Sequence, residues 1–453
     1  MATSSAPGRL CLREHPLERV EMAGADASDD YPLLDLAGAR DYAAALEPVR
    51  ERLGASPEQW RVREVGDGNL NLVFIAEGPD GSVCIKQALP YVRAAGPSWP
   101  MTPERAFFEY SYYQTVAPHV GELIPQILHY DSRLHCLLME RLAPHIILRR
   151  GLIDGRCYPD VGRALGEYIA RASFFTSDLA APFERKMESM ALFARNTPLV
   201  RITVDLVFTD PYRTSPRNRH TSPELDAAVA DLRSDGALKA AAARFGHKFL
   251  SAPQALIHGD LHSGSVMVTP QDSRVIDPEF AFYGPIGFDL GAFFGNLLLA
   301  WYAQPGHEAS DGERAPYRDW ILDEAQRFWE SFQTRFLALW QEKGRGDAYP
   351  APMFANAADA AALGAARRAF IDALFADMLG FAACKMIRRI VGFAHVLDFE
   401  SITDRRVRAR CEAGALALAG RLLTEPERFG SIGEVIEAVR GDSLRSQRAT
   451  DRV

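Results

Sequence analysis

The sequence predicts an α+β protein of two lobes, a β-rich N-terminal lobe and a mostly helical C-terminal lobe, with a cleft between them. Three observations carry this. Strand-forming runs at 69–77 and 82–89 flank Pro79-Asp80-Gly81, the composition of a hairpin turn, and two more follow at 127–130 and 135–139. Beyond Glu140 the apolar pattern becomes helical. One β island, 255–280, interrupts the helices and carries most of the acidic motifs. A length of 453 residues allows two or three domains. The expected organisation is a mobile tail over 1–34, an N-terminal lobe over 35–139, a connector over 140–146, a catalytic and substrate lobe over 147–440 and a frayed tail over 441–453.

The elements follow in order. Residues 1–30 mix Ser, Gly, Ala and acids without periodicity. The hairpin comes next, opened by Val65-Gly66-Asp67-Gly68-Asn69-Leu70-Asn71. Thr102-Pro103-Glu104 then reads as a helix start, with a capping Thr, Pro at the first turn and an acid beside it. That helix carries Glu109. Helix-rich stretches are expected over 160–176, 222–249, 316–342, 358–397 and 404–423.

Composition excludes several classes. Lys plus Arg is 51 against 59 Asp plus Glu, a formal charge of −8, so the chain has no general attraction for nucleic acid or anionic lipid. An anionic ligand has to be held by local cations. The six cysteines are scattered with no C-x-x-C, which disfavours zinc and disulfides and predicts reduced thiols. No basic segment precedes an apolar run at the N-terminus, and the apolar stretch 290–303 falls short of the ~20 residues of a span. A cytoplasmic enzyme without membrane or nucleic-acid partners is expected.

The sharpest chemical signal is His258-Gly259-Asp260-Leu261-His262, at the end of an apolar strand, followed by Asp277-Pro278-Glu279 at the end of another. Phosphoryl transfer needs such parts: a carboxylate that orients a hydroxyl and takes its proton, and others that hold Mg²⁺ against phosphates. A lone Asp in a turn is ordinary; the constellation is not. His258 reads as a brace for the loop, and His262 is ambiguous. The Gly-rich turn before Asn69 suits close backbone approach to phosphate, but it is not G-x-x-x-x-G-K-[ST], which disfavours a P-loop. Lys86 lies on the returning strand and shares a face with Cys84 and Ala88, so it needs a counter-charge; phosphates together with Glu109 would supply it. Finally, Lys385, Arg388 and Arg389 fall on one helical face in apolar surroundings.

These motifs, with Lys86-Gln87-Ala88-Leu89-Pro90-Tyr91-Val92-Arg93, Ser98-Trp99-Pro100-Met101-Thr102 and His145-Ile146-Ile147-Leu148-Arg149, closely resemble the 5-methylthioribose kinases over 65–397. That family has the aminoglycoside phosphotransferase and choline kinase variant of the protein-kinase-like fold. The resemblance implies ATP and Mg²⁺ as cofactors and 5-methylthioribose as the small-molecule substrate, with a homodimer as the family's habit. It implies that Asn69 and Lys86 contact the ATP phosphates and that Glu140, Arg141 and Leu142 meet adenine through backbone. Asp277, Pro278 and Glu279 would form the segment holding Mg²⁺–ATP, with Asp277 and Glu279 as metal ligands. Asp260 would be the base, and Arg388 and Arg389 jointly would bind the sugar and steady the moving phosphoryl group. The Trp99 loop would close near the nucleotide, and Asp289 would brace the catalytic loop. Ser265 stands where the antibiotic kinases carry Asn, which leaves the number of metal ions open. Two other readings stay in view: a kinase for an aminoglycoside, choline or another sugar, and a silent nucleotide-binding pseudokinase.

Overall fold

The computed structural model describes residues 31–54, 56–66, 70–93 and 96–450, with backbone alone at 97 and 442–450. Its N-terminal part is a five-stranded antiparallel sheet in the order β1-β2-β3-β5-β4, built from β1 (Arg61–Glu64), β2 (Asn71–Glu77), β3 (Ser82–Ala88), β4 (Ile127–Asp131) and β5 (Cys136–Glu140). The expected hairpin is β2–β3, closing with Glu77 opposite Ser82. Alternation along β3 sends Val83 and Ile85 to one face, where α1 (Leu36–Ala45) and α2 (Glu47–Leu53) complete a small core with Ala39, Ala43, Val49 and Leu53. Lys86 and Ala88 point to the other face, against α3 (Arg105–Val120). The Thr102 hydroxyl accepts from the Glu104 N–H at the start of that helix, close to where the sequence puts its cap.

The tail expected through residue 34 is tied down at its end. The Leu34 N–H donates to Gln87 Oε1 at 2.9 Å, and Leu34 packs on the small core. Residues 1–30 lie outside the described residues.

After β5 the chain enters two short sheets. β6 (Ile146–Ile147) pairs with β8 (Val266–Val268), which pairs with β9 (Ser273–Val275); β7 (Ala255–Ile257) pairs with β10 (Phe282–Gly284). These strands hold the acidic motifs between layers of helix: α4 (Leu148–Ile153), α5 (Val161–Thr176), α6 (Phe183–Phe193), α7 (Thr197–Thr203), α8 (Asp226–Ser234), α9 (Gly236–Ser251), α10 (Ile286–Ala303), α11 (Ala315–Lys343), α12 (Ala357–Val391), α13 (Leu397–Glu400), α14 (Arg405–Thr424) and α15 (Ile432–Thr450).

Three expectations are refined by local chemistry. The stretch 222–249 is two helices because Asp235 interrupts it, its side chain accepting from the Leu238 N–H to start α9. The stretch 358–397 ends its main helix at Val391, beside Gly392. The tail expected to fray from 441 instead continues α15 to Thr450, because Val435, Ile436 and Val439 bury one face of that helix and let it propagate.

The centre of the large core is α10, every residue of which is buried. The segment Ile286–Gly306 is long and apolar enough to cross a membrane, longer than the 290–303 stretch read from sequence, but its 18-residue apolar window lies wholly inside the protein. Gly287, Gly291 and Gly295 recur every four residues and let α12 approach closely; a Cβ on Gly291 would stand 2.6 Å from the Ala382 nitrogen. This close approach fixes where α12 delivers its cations.

Candidate active site

Lys86, rising from β3, donates to Glu109 Oε2 on α3 (2.7 Å) and to Asp277 Oδ1 just past β9 (2.6 Å). Residues 191 positions apart thus share one ion pair across the cleft. Burial works against the Lys86 charge, but the Asp277, Glu109 and Glu279 carboxylates outweigh it and hold the proton firmly. Burial pushes Glu109 up to about 7 despite Lys86. Asp277 differs from its neighbours. Its side chain is 46% exposed, opening to solvent from a left-handed backbone (φ 65°). Burial of the site raises its proton affinity, yet Lys86 more than compensates and keeps it ionised.

Glu279, two residues on, is buried and held by a group the sequence reading passed over. Arg105, fully buried at the start of α3, donates Nε to Glu279 Oε2 (3.1 Å), and Asn71 Nδ2 reaches the same oxygen (3.3 Å). Arg105 also bonds the carbonyls of Leu70, Leu89 and Thr102. One guanidinium therefore ties the start of β2, the stretch after β3 and the D-x-E segment together. Arg105 and Glu109 lie four apart on one face of α3, the signal that could have found it. Pro278 lies between the two acids; its carbonyl accepts from the Ala281 N–H in the turn that follows. Asn69 lies outside the described residues.

The loop after β7 is braced from behind. Asp289 on α10 accepts from the His258 and Gly259 N–H groups at 2.6 and 3.0 Å, the role its position predicts. His258 Nδ1 accepts from the Asp260 N–H (3.3 Å), which leaves Nε2 to donate to the Ile276 carbonyl (2.9 Å). His258 is thus a brace between the two acidic segments. Gly259 needs its φ of +84°, and a Cβ there would meet the Phe280 carbonyl oxygen at 2.2 Å. Asp260 emerges with Oδ1 on Lys385 Nζ (2.8 Å) and Oδ2 near His262 Nε2 (3.3 Å). Burial would raise its proton affinity, but Lys385, His262 and Arg389 hold it well below the usual carboxylate range. Ser265 Oγ donates to the Asp260 carbonyl.

Lys385, Arg388 and Arg389 sit in the last turns of α12, all three buried. Arg389 Nη1 donates to the Ala394 carbonyl, while Arg388 Nε and Nη1 and Arg389 Nε meet no hydrogen-bond partner among the described residues. Arg149, from α4, faces the same region, bonding Ser263, Asn296 and Asp398. Sequence reading grouped the α12 cations correctly but missed that Lys385 touches Asp260 and that Arg149 joins them. Neither pairing has a local signal, since partners lie more than 100 residues apart. Trp99 stacks at a tilt on Phe393, 5.2 Å between rings, linking its loop to the segment after α12.

In the connector, Arg141 pairs with Glu77, Glu140 Oε2 accepts from the Gln126 N–H, and Leu142 is buried. The Glu140 and Arg141 side chains thus turn back toward Gln126 and Glu77 of the N-terminal part. Asp277 and Glu279 offer hard oxygen donors. No group of three or more His, Cys, Asp or Glu able to hold a metal occurs among the described residues. That donor set fits Mg²⁺, which takes one or two carboxylates and completes its shell with phosphate and water.

Residues 61–320 match the model of the phosphotransferase enzyme family. Over 410 residues the chain is 45% identical to methylthioribose kinase 1 of Oryza sativa subsp. japonica, covering 90% of this chain and 95% of that one. The chain belongs to the methylthioribose kinase family. It is also 44% identical over 388 residues to the methylthioribose kinase of Escherichia coli O45:K1, covering 85% and 92% of the two chains. Among solved structures, a glucosamine kinase with glucosamine, ADP and phosphate aligns over 87% of each chain at a TM-score of 0.44 and 13% identity. The family model and the relatives make the chain a kinase of the phosphotransferase enzyme family.

Proposed function

We propose that the protein transfers the γ-phosphoryl group of ATP to the anomeric hydroxyl of 5-methylthioribose, giving S-methyl-5-thio-α-D-ribose 1-phosphate in methionine salvage. The observation that carries this is two ion pairs on two acidic segments that His258 ties together, Lys86 with Asp277 and Asp260 with Lys385. On this reading the first serves the nucleotide and the second the acceptor.

The roles follow from the atoms. Asp260, kept ionised, orients the sugar hydroxyl and takes its proton as the oxygen attacks the γ-phosphorus. The bond from that phosphorus to the ADP oxygen breaks as the new bond forms. Lys86 donates to the phosphates from a fixed position, with Glu109 holding it there. The unoccupied donors of Arg388 and Arg389 suit the charge on the moving phosphoryl group and the hydroxyls of a neutral sugar. Asp277 and Glu279 would hold Mg²⁺, which neutralises phosphate charge when bound. Adenine would bond the backbone of Glu140, Arg141 and Leu142. The Glu140 N–H is already given to the Gln126 carbonyl, which shifts that task towards the two residues after it.

An acceptor end lined by Lys385, Arg388, Arg389 and Arg149 repels a cationic substrate, which disfavours choline and aminoglycosides. The test is ATP consumption with methylthioribose, choline and kanamycin side by side. Turnover is expected with methylthioribose; faster turnover with either cation would overturn the assignment. Asp260→Asn should lower kcat by about 10²–10⁴-fold while ATP binding stays near wild type. Near-full activity in that variant would show that Asp260 is not the base.

A further inference from the structure

Lys385 has no role in the chemistry described so far, yet it makes the closest contact to the proposed base. Its side chain is 3% exposed, its Nζ lies 2.8 Å from Asp260 Oδ1, and the Phe288 ring covers it at 4.5 Å. Burying an ammonium here is expensive, and a buried ion pair is a poor way to gain stability. A methionine would fill the space without that cost.

The other carboxylate oxygen is also addressed. His262 Nδ1 accepts from the Gly264 N–H at 2.9 Å, so its proton sits on Nε2, which faces Asp260 Oδ2 at 3.3 Å. Burial lowers the His262 proton affinity to about 3, so the ring is a neutral donor. Asp260 is therefore gripped at both oxygens by donors on two different elements, α12 and its own loop.

The grip has a second consequence. Arg388 and Arg389 follow Lys385 by three and four positions on α12, and their Nε and Nη1 atoms include buried donors without partners. Asp260 is among the anions that act on both guanidiniums. Without the Lys385 contact, the attraction of Asp260 to those guanidiniums would draw the carboxylate toward them and away from the substrate.

We propose that Lys385 is a positioning residue that holds Asp260 off the twin arginines, fixing the carboxylate so that the second lone pair of Oδ2, beside the one turned to His262, faces the acceptor hydroxyl. The inference rests on the reading of Asp260 as the base, and the experiment separates the two. Lys385→Met should lower kcat by about 10²-fold, the scale of a misplaced catalytic group. KM for ATP should stay within about twofold, since Lys385 bonds Asp260 whereas Lys86 bonds Glu109 and Asp277. Lys385→Arg should recover much of the loss.

The decisive comparison is between Asp260→Asn and the double variant Lys385→Met/Asp260→Asn. Lys385 acts through Asp260, so adding its loss should change kcat by less than about threefold. This pair also serves if the single methionine variant, with its orphaned carboxylate, does not fold. A further tenfold loss in the double variant would overturn the proposal, as would a wild-type kcat in a folded Lys385→Met. If Asp260→Asn itself is fully active, the reading of the base fails instead.

Discussion

Gly259 shows how little freedom a residue beside Asp260 has: a positive φ and a carbonyl 2.2 Å from where a Cβ would lie leave only glycine there. Asp277 also has a positive φ, and aspartate tolerates that region better than most residues. Away from the site, Glu412 on α14 makes a pH-dependent contribution. It is fully buried, and burial raises its carboxyl from 4.5 to about 7, against the pull of Thr221 and Arg408. Between those two values the folded chain keeps a proton that the unfolded chain has released. Folding is then linked to proton uptake, so stability falls as pH rises through that window and levels off above it. Glu412→Gln, which mimics the protonated form, should remove this component and be the more stable protein at pH 8 by ~1–3 kcal/mol. Thermal melts of both proteins from pH 5 to 8 check this; parallel curves would refute it.

At the scale of elements, α3 and α12 do the joining. α3 supplies Glu109 to Lys86 and Arg105 to Glu279 from one face, so it links the sheet to the acidic segment after β9. Arg105→Met should destabilise the fold by ~3–5 kcal/mol, because it leaves Glu279 and three carbonyls without their buried donor. Denaturant unfolding measures this, and a cost near zero would mean that water replaces the guanidinium. Much at this scale was legible in the sequence. The hairpin, the start of α3 and the long helices announce themselves by turn chemistry, a capping Thr and 3.6-residue periodicity. Less legible were the break at Asp235 and the reach of α15, since a cap and a few buried valines decide them. Arg105 was only half legible: its four-residue spacing from Glu109 marks a shared face, but an arginine inside an aromatic helix looks the same whether it snorkels or is buried.

For the whole molecule, a net charge of −8 means that, on the proposed function, an anionic nucleotide would be drawn in by a few placed cations and not by the general field. Such binding would stabilise only the folded form. Mg²⁺–ATP at about 100 times its Kd should add ~2.7 kcal/mol, read as a higher Tm. Lys86→Met should abolish the rise, whereas Asp260→Asn should retain it, because Asp260 serves the acceptor end. An equal rise in all three proteins would remove Lys86 from the nucleotide site.

Local pattern by itself determined the strands, the helices and the residue types able to do phosphoryl chemistry, because hairpin turns, caps and apolar periodicity act over a few residues. The family motifs went further and suggested which residues would form the site. Only the tertiary structure decided the pairings: Lys86 with Asp277, Arg105 with Glu279, Lys385 with Asp260. Those contacts join positions 125 to 191 residues apart, and they exist because glycines along α10 let α12 settle close and because two short sheets turn the acids toward one cleft. No local propensity encodes such a distance. The packing of the whole core does.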